Sequence, residues 1–282
     1  MRPVRVSDAL QGDPATRGER RLLLESVLER SHTWIASHPE VLLDAAQDQH
    51  YRTLLARRAA GEPVAYLVGG REFYGLPLAV TPDVLIPRPE TEGLVDWALE
   101  CLPPDSTAAV LDLGTGSGAI AVALLHERPH LSVTAVDRSP AALAVAAQNA
   151  ARHHPPGSRP IRFVAGDWTA PVAGERFRLI LANPPYVAAG DPHLAQGDLR
   201  FEPPAALASG PEGLDDLRRI VAQAPHHLEA GGRLLVEHGH DQGPACAALF
   251  KAAGFCDVCL RHDLGGLPRL TGGRYPGPGE QD

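Results

Sequence analysis

The stretch Val110-Leu111-Asp112-Leu113-Gly114-Thr115-Gly116-Ser117-Gly118-Ala119-Ile120 decides how the rest of the chain is read. An apolar run ends in three alternating glycines and passes at once into a second apolar run, the pattern of a strand, a tight turn and a helix start. Glycines let a backbone adopt conformations that a side chain would block and let it pass close to a ligand. The spacing is GxGxG, not the GxGxxG of dinucleotide turns, and no Lys-Ser or Lys-Thr follows, so a P-loop does not fit. Asp112, just before the glycines, would repel a pyrophosphate. It can balance an ammonium group, such as that of the methionine moiety of S-adenosylmethionine.

Outward from this turn, strand patterns recur at 109–113, 132–136, 161–165, 179–182 and 233–237. Helical patterns fill the gaps, including 139–152, where Ser139 can cap and Pro140 can occupy the first turn. Strand and helix in alternation predict an α/β domain with a mostly parallel sheet and helices on both faces. Ligands of such sheets sit beyond the carboxyl ends of the strands, where the strand order switches.

Three further features fall at predicted strand ends. Asp137 follows the second strand, about twenty residues past the glycines, where an acidic side chain accepts both ribose hydroxyls of a nucleoside. Its plain alternative is an aspartate at a helix entry. Gly166-Asp167-Trp168 follows the third strand. Taken alone it reads as a turn aspartate beside a core tryptophan. In series with the first two strands, Asp167 can accept from an adenine amino group and Trp168 can pack on the base.

The fourth strand ends in Asn183-Pro184-Pro185-Tyr186. An amide or aminopurine nitrogen has its lone pair delocalised, so methylating it calls for two acceptors that grip the amino group and aim the lone pair. The Asn183 side-chain oxygen and the Pro184 carbonyl can serve, because two prolines fix the backbone and carry no N–H. Tyr186 offers a flat wall to a planar group. The alternative is an ordinary Asn-Pro turn.

Before residue 71 the chain reads as helical. Leu24, Val27 and Leu28 share one face of a helix within 19–28, and a run from Val41 to Ala60 places Leu42, Leu43, Ala46, Tyr51, Leu54 and Leu55 similarly before a stop at Gly61. Residues 72–88 suggest two short strands around Thr81-Pro82-Asp83, and Pro87-Arg88-Pro89-Glu90-Thr91-Glu92 a rigid turn into a helix through Leu102. The expected organisation is thus a helical domain at 1–71, a hairpin linker at 72–91 and a catalytic domain at 92–282.

With 282 residues there is room for both domains, and 44% hydrophobic with 21% charged residues is ordinary globular composition. No apolar run approaches the roughly 18 residues of a membrane span, and the N-terminus has no apolar signal core, so a cytoplasmic location is expected. The net charge of −8 argues against a broad nucleic-acid surface. Of the four cysteines, Cys256 and Cys259 form a CxxC, but they sit in a strand-like alternation, which favours packing over a metal or redox role. No metal site is expected.

Together these motifs resemble the bacterial release factor glutamine methyltransferases, members of the class I methyltransferase superfamily. The likeness spans nearly the whole chain. It also rests on Phe73-Tyr74-Gly75-Leu76, Leu85-Ile86-Pro87-Arg88-Pro89-Glu90-Thr91-Glu92, Arg200-Phe201-Glu202-Pro203 and Leu235-Val236-Glu237-His238-Gly239. These segments are far more specific than Asn-Pro-Pro-Tyr, which DNA adenine methyltransferases share.

The resemblance implies a Rossmann-like domain with a mostly parallel seven-stranded sheet, joined through a β-hairpin to a helical domain that meets the release factor. It implies S-adenosylmethionine as cofactor, held by Gly114, Thr115, Gly116, Ser117, Gly118, Asp137, Trp168 and Asn183; the place of Asp167 after the third strand adds it to the expected cofactor contacts. The substrate glutamine, in the Gly-Gly-Gln loop of a release factor, would meet Asn183, Pro184, Pro185 and Tyr186. Asn183, Pro184 and Tyr186 would carry catalysis, in a monomer. Three other functions remain: a ribosomal-protein glutamine methyltransferase, disfavoured by Pro89; a nucleic-acid adenine methyltransferase, which would carry a basic face or recognition region; and a non-catalytic release factor-binding module.

Overall fold

Apolar runs at 109–113, 132–137 and 177–182 are buried on both faces because helices cover both sides of the sheet they form. The computed structural model describes residues 4–12 and 16–277; residues 1–3, 13–15 and 278–282 lie outside it. Contacts divide the chain into two units, residues 1–70 with 197–201 and residues 71–196 with 202–282.

In the smaller unit, α1 (Val6–Ala9), α2 (Arg17–Leu28), α3 (His32–Ser37), α4 (Ala45–Ala59) and α5 (Val64–Val68) enclose a core of Leu23, Leu24, Ile35, Leu43, Tyr51, Leu54 and Leu67. The helix expected from Val41 begins only at Ala45. Asp44 caps it, accepting from the Gln47 N–H at 2.8 Å while the Gln47 side chain accepts from the Asp44 N–H at 3.0 Å. Leu43 therefore enters the core from the preceding segment, and Leu42 is exposed. In α2, Leu23 and Leu24 are buried while Val27 and Leu28 lie at the core margin, so the buried face is shifted from the expected one. Arg58 joins this unit's pieces, pairing with Glu19 at 2.7 Å and Asp198 at 2.9 Å.

From Gly70 the chain forms a hairpin of β1 (Gly70–Phe73) and β2 (Leu76–Ala79). It reverses at Tyr74-Gly75, whose φ values of 53° and 72° suit the mirror-image turn that matches strand twist. This corrects the strand pair expected around Thr81-Pro82-Asp83. The chain does turn there, but residues 84–86 form no strand, since the Ile86 N–H donates to the Glu202 carboxylate at 3.0 Å instead of to a neighbouring strand.

Then follow α6 (Glu92–Cys101), β3 (Ala109–Leu113), α7 (Ala119–Glu127), β4 (Ser132–Asp137), α8 (Pro140–Arg152), β5 (Arg162–Ala165), β6 (Phe177–Ala182), α9 (Asp215–Gln223), β7 (Leu228–Glu237), α10 (Gly243–Ala252), β8 (Cys256–His262) and β9 (Pro268–Arg274). The seven-stranded sheet runs β5-β4-β3-β6-β7-β9-β8. All neighbours are parallel except β9, which lies antiparallel between β7 and β8. The α/β architecture with a mostly parallel sheet is as the sequence implied. The strand pattern at 256–260 is β8, and β9 was not anticipated.

Strand order reverses between β3 and β6. Leu113 is in register with Ala182, so the glycine turn and Asn183 emerge side by side at the carboxyl edge. No helix among the described residues is long and apolar enough to cross a membrane.

Candidate active site

The glycine turn is held from below by the chain's own hydrogen bonds. The Gly114 and Thr115 N–H groups both donate to the Val136 carbonyl, at 2.9 and 3.0 Å. The Thr115 hydroxyl donates to Asp112 Oδ2 at 2.6 Å. Asp112 is fully buried, and burial pushes its carboxyl up to about 7. It does not line the cleft beyond the strands, so it supports the turn rather than presenting a charge there.

Gly114, Gly116 and Gly118 have φ of 71°, 54° and 80°, a region that side chains rarely adopt. A Cβ on Gly116 would meet only the Gly114 carbonyl, at 4.0 Å, because the space beside it is the cleft. Asp137, at the end of β4, accepts the Gly116 N–H on Oδ2 and the Ser139 N–H on Oδ1, each at 2.9 Å. One carboxylate thereby ties the glycine turn to the start of α8. Each oxygen keeps a further lone pair that can accept from a ligand hydroxyl.

Gly114, Gly116, Asp137, Asp167, Trp168, Asn183 and Pro185 all line one cleft with a cavity volume of about 200 Å³. Trp168 has a φ of 47°, and its indole N–H donates to Asp216 Oδ1 at 3.1 Å, which holds the ring. A Cβ on Gly114 would come within 3.1 Å of that ring, so glycine there permits the close packing of ring and turn. The Asp167 carboxylate pairs with Arg219. Thr115, Ser117, Gly118, Pro184 and Tyr186 are not in the cleft lining. Thr115 and Ser117 are buried, and Gly118 packs against Ala146 of α8, where a Cβ would approach to 3.0 Å.

The turn after β6 carries the remaining candidates. The Asn183 side-chain amide donates through Nδ2 to Thr91 Oγ1 at 3.0 Å, while its Oδ1 accepts no hydrogen bond from the described residues. The Pro184 carbonyl likewise accepts none. Two acceptors are thus held ready at the end of β6. The Tyr186 hydroxyl donates to Glu237 Oε1 at 3.3 Å. Burial and the Glu237 charge raise the Tyr186 phenol well above its ordinary value, so it stays protonated.

Sequence reasoning did not single out several residues of this region. Asp83, Leu85, Arg138 and Pro203 line the cleft, and Arg138 reaches the Ala205 carbonyl at 2.8 Å. Glu202 pairs with Arg88 and caps the Ile86 N–H. Leu85 and Arg88 belong to one family-marking segment and Glu202 and Pro203 to another, but nothing in either segment says that Arg88 and Glu202 meet.

Two family models match the chain, the PrmC N-terminal domain over residues 5–69 and the methyltransferase small domain over residues 96–199. The release factor glutamine methyltransferase of Burkholderia pseudomallei is 49% identical over 98% of each chain. That of Escherichia coli is 46% identical over 94% of this chain and 95% of its own. A methyltransferase structure from Pyrococcus furiosus superposes with a TM-score of 0.54 over 80% of this chain and 99% of that one; at 17% identity this speaks for the fold alone. Close to half of all residues are shared along almost the full length of such relatives, and the chain therefore belongs to the release factor glutamine methyltransferase family.

Proposed function

We propose that the protein methylates the side-chain amide nitrogen of the glutamine in the Gly-Gly-Gln loop of peptide chain release factors, with S-adenosylmethionine as methyl donor. The observation that carries this reading is the pair of unengaged acceptors at Asn183 and Pro184, beside a glycine turn that leaves open space where a Cβ on Gly116 would project.

The residues fit such a cofactor. Gly114 and Gly116 allow its close approach, Asp137 has lone pairs free for the ribose hydroxyls, and Trp168 offers an apolar face at the cleft wall. When bound, S-adenosylmethionine supplies an electrophilic methyl group on a positively charged sulfur. The chain's own contribution is positioning. Asn183 Oδ1 and the Pro184 carbonyl accept the two N–H bonds of a primary amide, which turns its nitrogen lone pair out of the plane they share. Pro184 and Pro185 are buried and give the turn no N–H that could compete for those acceptors.

The helices of the smaller unit carry no catalytic group, and we assign them to release factor docking. The assay is transfer of labelled methyl to purified release factor, ribosomal protein and DNA, with the modified residue located by mass spectrometry. Label on the Gly-Gly-Gln glutamine is expected. Label only on ribosomal protein or DNA overturns the reading.

A further inference from the structure

Behind Asn183 lies a buried polar chain. Thr91, at the end of the short turn before α6, is 4% exposed, and Glu237, at the end of β7, is 1% exposed. Thr91 Oγ1 donates to Glu237 Oε2 at 2.7 Å and receives the Asn183 Nδ2 donor at 3.0 Å. The other Glu237 oxygen takes the Tyr186 hydroxyl. Residues 146 positions apart thus meet directly beneath the turn after β6. The register of β6 on β7, Ala182 opposite Val236, brings Asn183 level with Glu237.

A threonine hydroxyl has one proton to give. A carboxylate can only accept, so beside ionised Glu237 that proton is committed to Oε2. Oγ1 can then act toward Asn183 only as an acceptor, and only the Nδ2 end of the amide can meet it. The amide is asymmetric, and its other end, Oδ1, must face away from Thr91. We infer that the Thr91–Glu237 pair is a positioning device that sets which end of the Asn183 amide is presented to the substrate. A reversed amide would present N–H donors where the glutamine amide needs an acceptor.

The charge on Glu237 is part of the device. Protonated Glu237 could give its own proton to Thr91, freeing the threonine hydroxyl to donate to Asn183 Oδ1 and reverse the amide. Burial pushes this carboxyl up to about 7, against the lowering effects of the Thr91 and Tyr186 hydrogen bonds and of Arg269 on β9, with Glu90 adding a raising one. Arg88 and Arg269 also act on the neighbouring Tyr186. The adjacent His238 is buried, held by the Gly239 carbonyl and Thr271, and its pKa is lowered.

The inference rests on the methylation reading only for its kinetic arm. Thr91→Val keeps the volume and removes the relay; Thr91→Ser keeps the relay. On intact release factor, Thr91→Val should lose at least tenfold in kcat with cofactor affinity and KM near wild type, and Thr91→Ser should recover most of the loss. Wild-type kcat should fall as the pH drops below about 7, and that dependence should vanish in Thr91→Val.

An arm independent of substrate follows the Asn183 side-chain amide resonance by nitrogen-15 NMR, assigned by its disappearance in Asn183→Asp. Its exchange should be slow in wild type and Thr91→Ser and fast in Thr91→Val. Slow exchange retained in Thr91→Val, or unchanged kcat, overturns the inference. Loss of protection in Thr91→Val, in a protein that methylates no glutamine, overturns instead the functional reading and leaves the pair intact.

Discussion

Asp137→Ala tests two roles of one carboxylate at once. In the folded chain it accepts the Gly116 and Ser139 N–H groups at 2.9 Å each, before any cofactor arrives. Hydrogen bonds to a charged group contribute about 1.5–3 kcal/mol when well shielded, and this side chain is half-buried, so the lower part of that range applies to the pair together. A loss of roughly 2 kcal/mol in a unit of this size lowers Tm by roughly 4–8 °C. Binding should weaken independently, because the two ribose hydroxyls lose their acceptor, for about another 2 kcal/mol, or a ~30-fold rise in Kd. Differential scanning calorimetry without ligand reads the first effect and isothermal titration with S-adenosylmethionine the second.

Asp137→Asn separates the two roles further. Its amide nitrogen must face either Gly116 N–H or Ser139 N–H, so one donor meets a donor, yet an oxygen remains for the ribose. It should retain more cofactor affinity than the alanine variant. Unchanged cofactor affinity in Asp137→Ala, whatever its Tm, would refute the ribose assignment. A normal Tm with weakened binding would show that the glycine turn does not need this anchor.

Asn183→Ala should lose about a hundredfold or more in turnover while binding cofactor nearly as well, the scale of one oriented hydrogen bond in a transition state; near-normal single-turnover rates would count against the two-acceptor mechanism. Asn183→Asp should keep part of the activity, since a carboxylate still accepts. Gly116→Val fills the cleft and strains a φ of 54°, so a folded variant that still binds cofactor in calorimetry would move the cofactor site elsewhere. Replacing exposed residues of α2 and α4 should cut activity on intact release factor far more than on a short Gly-Gly-Gln peptide. Equal proportional losses would show that these helices do not dock the substrate.

The central elements were legible because their signals are local. Three alternating glycines after Leu113 and an Asn-Pro-Pro turn after Ala182 mark their own strand ends, and Ser139 capping α8 at Ala142 follows from two adjacent residues. The hairpin was misplaced because Pro82 and Asp83 are strong turn formers, whereas the true reversal uses Tyr74 at positive φ, a conformation that composition does not announce. The late start of α4 had a local signal, Asp44 with Gln47 three residues on, but the leucines before it extended the apparent periodicity. The Arg219 partner of Asp167 and the Asp216 partner of Trp168 come from the first turns of α9, some fifty residues away, and no spacing rule links them.

The same limit applies with more consequence to Thr91 and Glu237. Each belongs to a segment specific enough to mark the family, yet neither is a plausible catalytic group on its own, being a buried hydroxyl and a buried acid outside the cleft lining. Their joint meaning depends on strand order. Only because β7 lies next to β6, in register at Val236 and Ala182, does the acid stand under the asparagine. On the proposed reading a site assembled this way is organised before substrate enters, since the Asn183 amide is already held by Thr91 and Glu237, which lie outside the cleft lining. Disturbing those groups should therefore act on kcat more than on KM, as they fix the direction of an acceptor and leave the docking contacts alone.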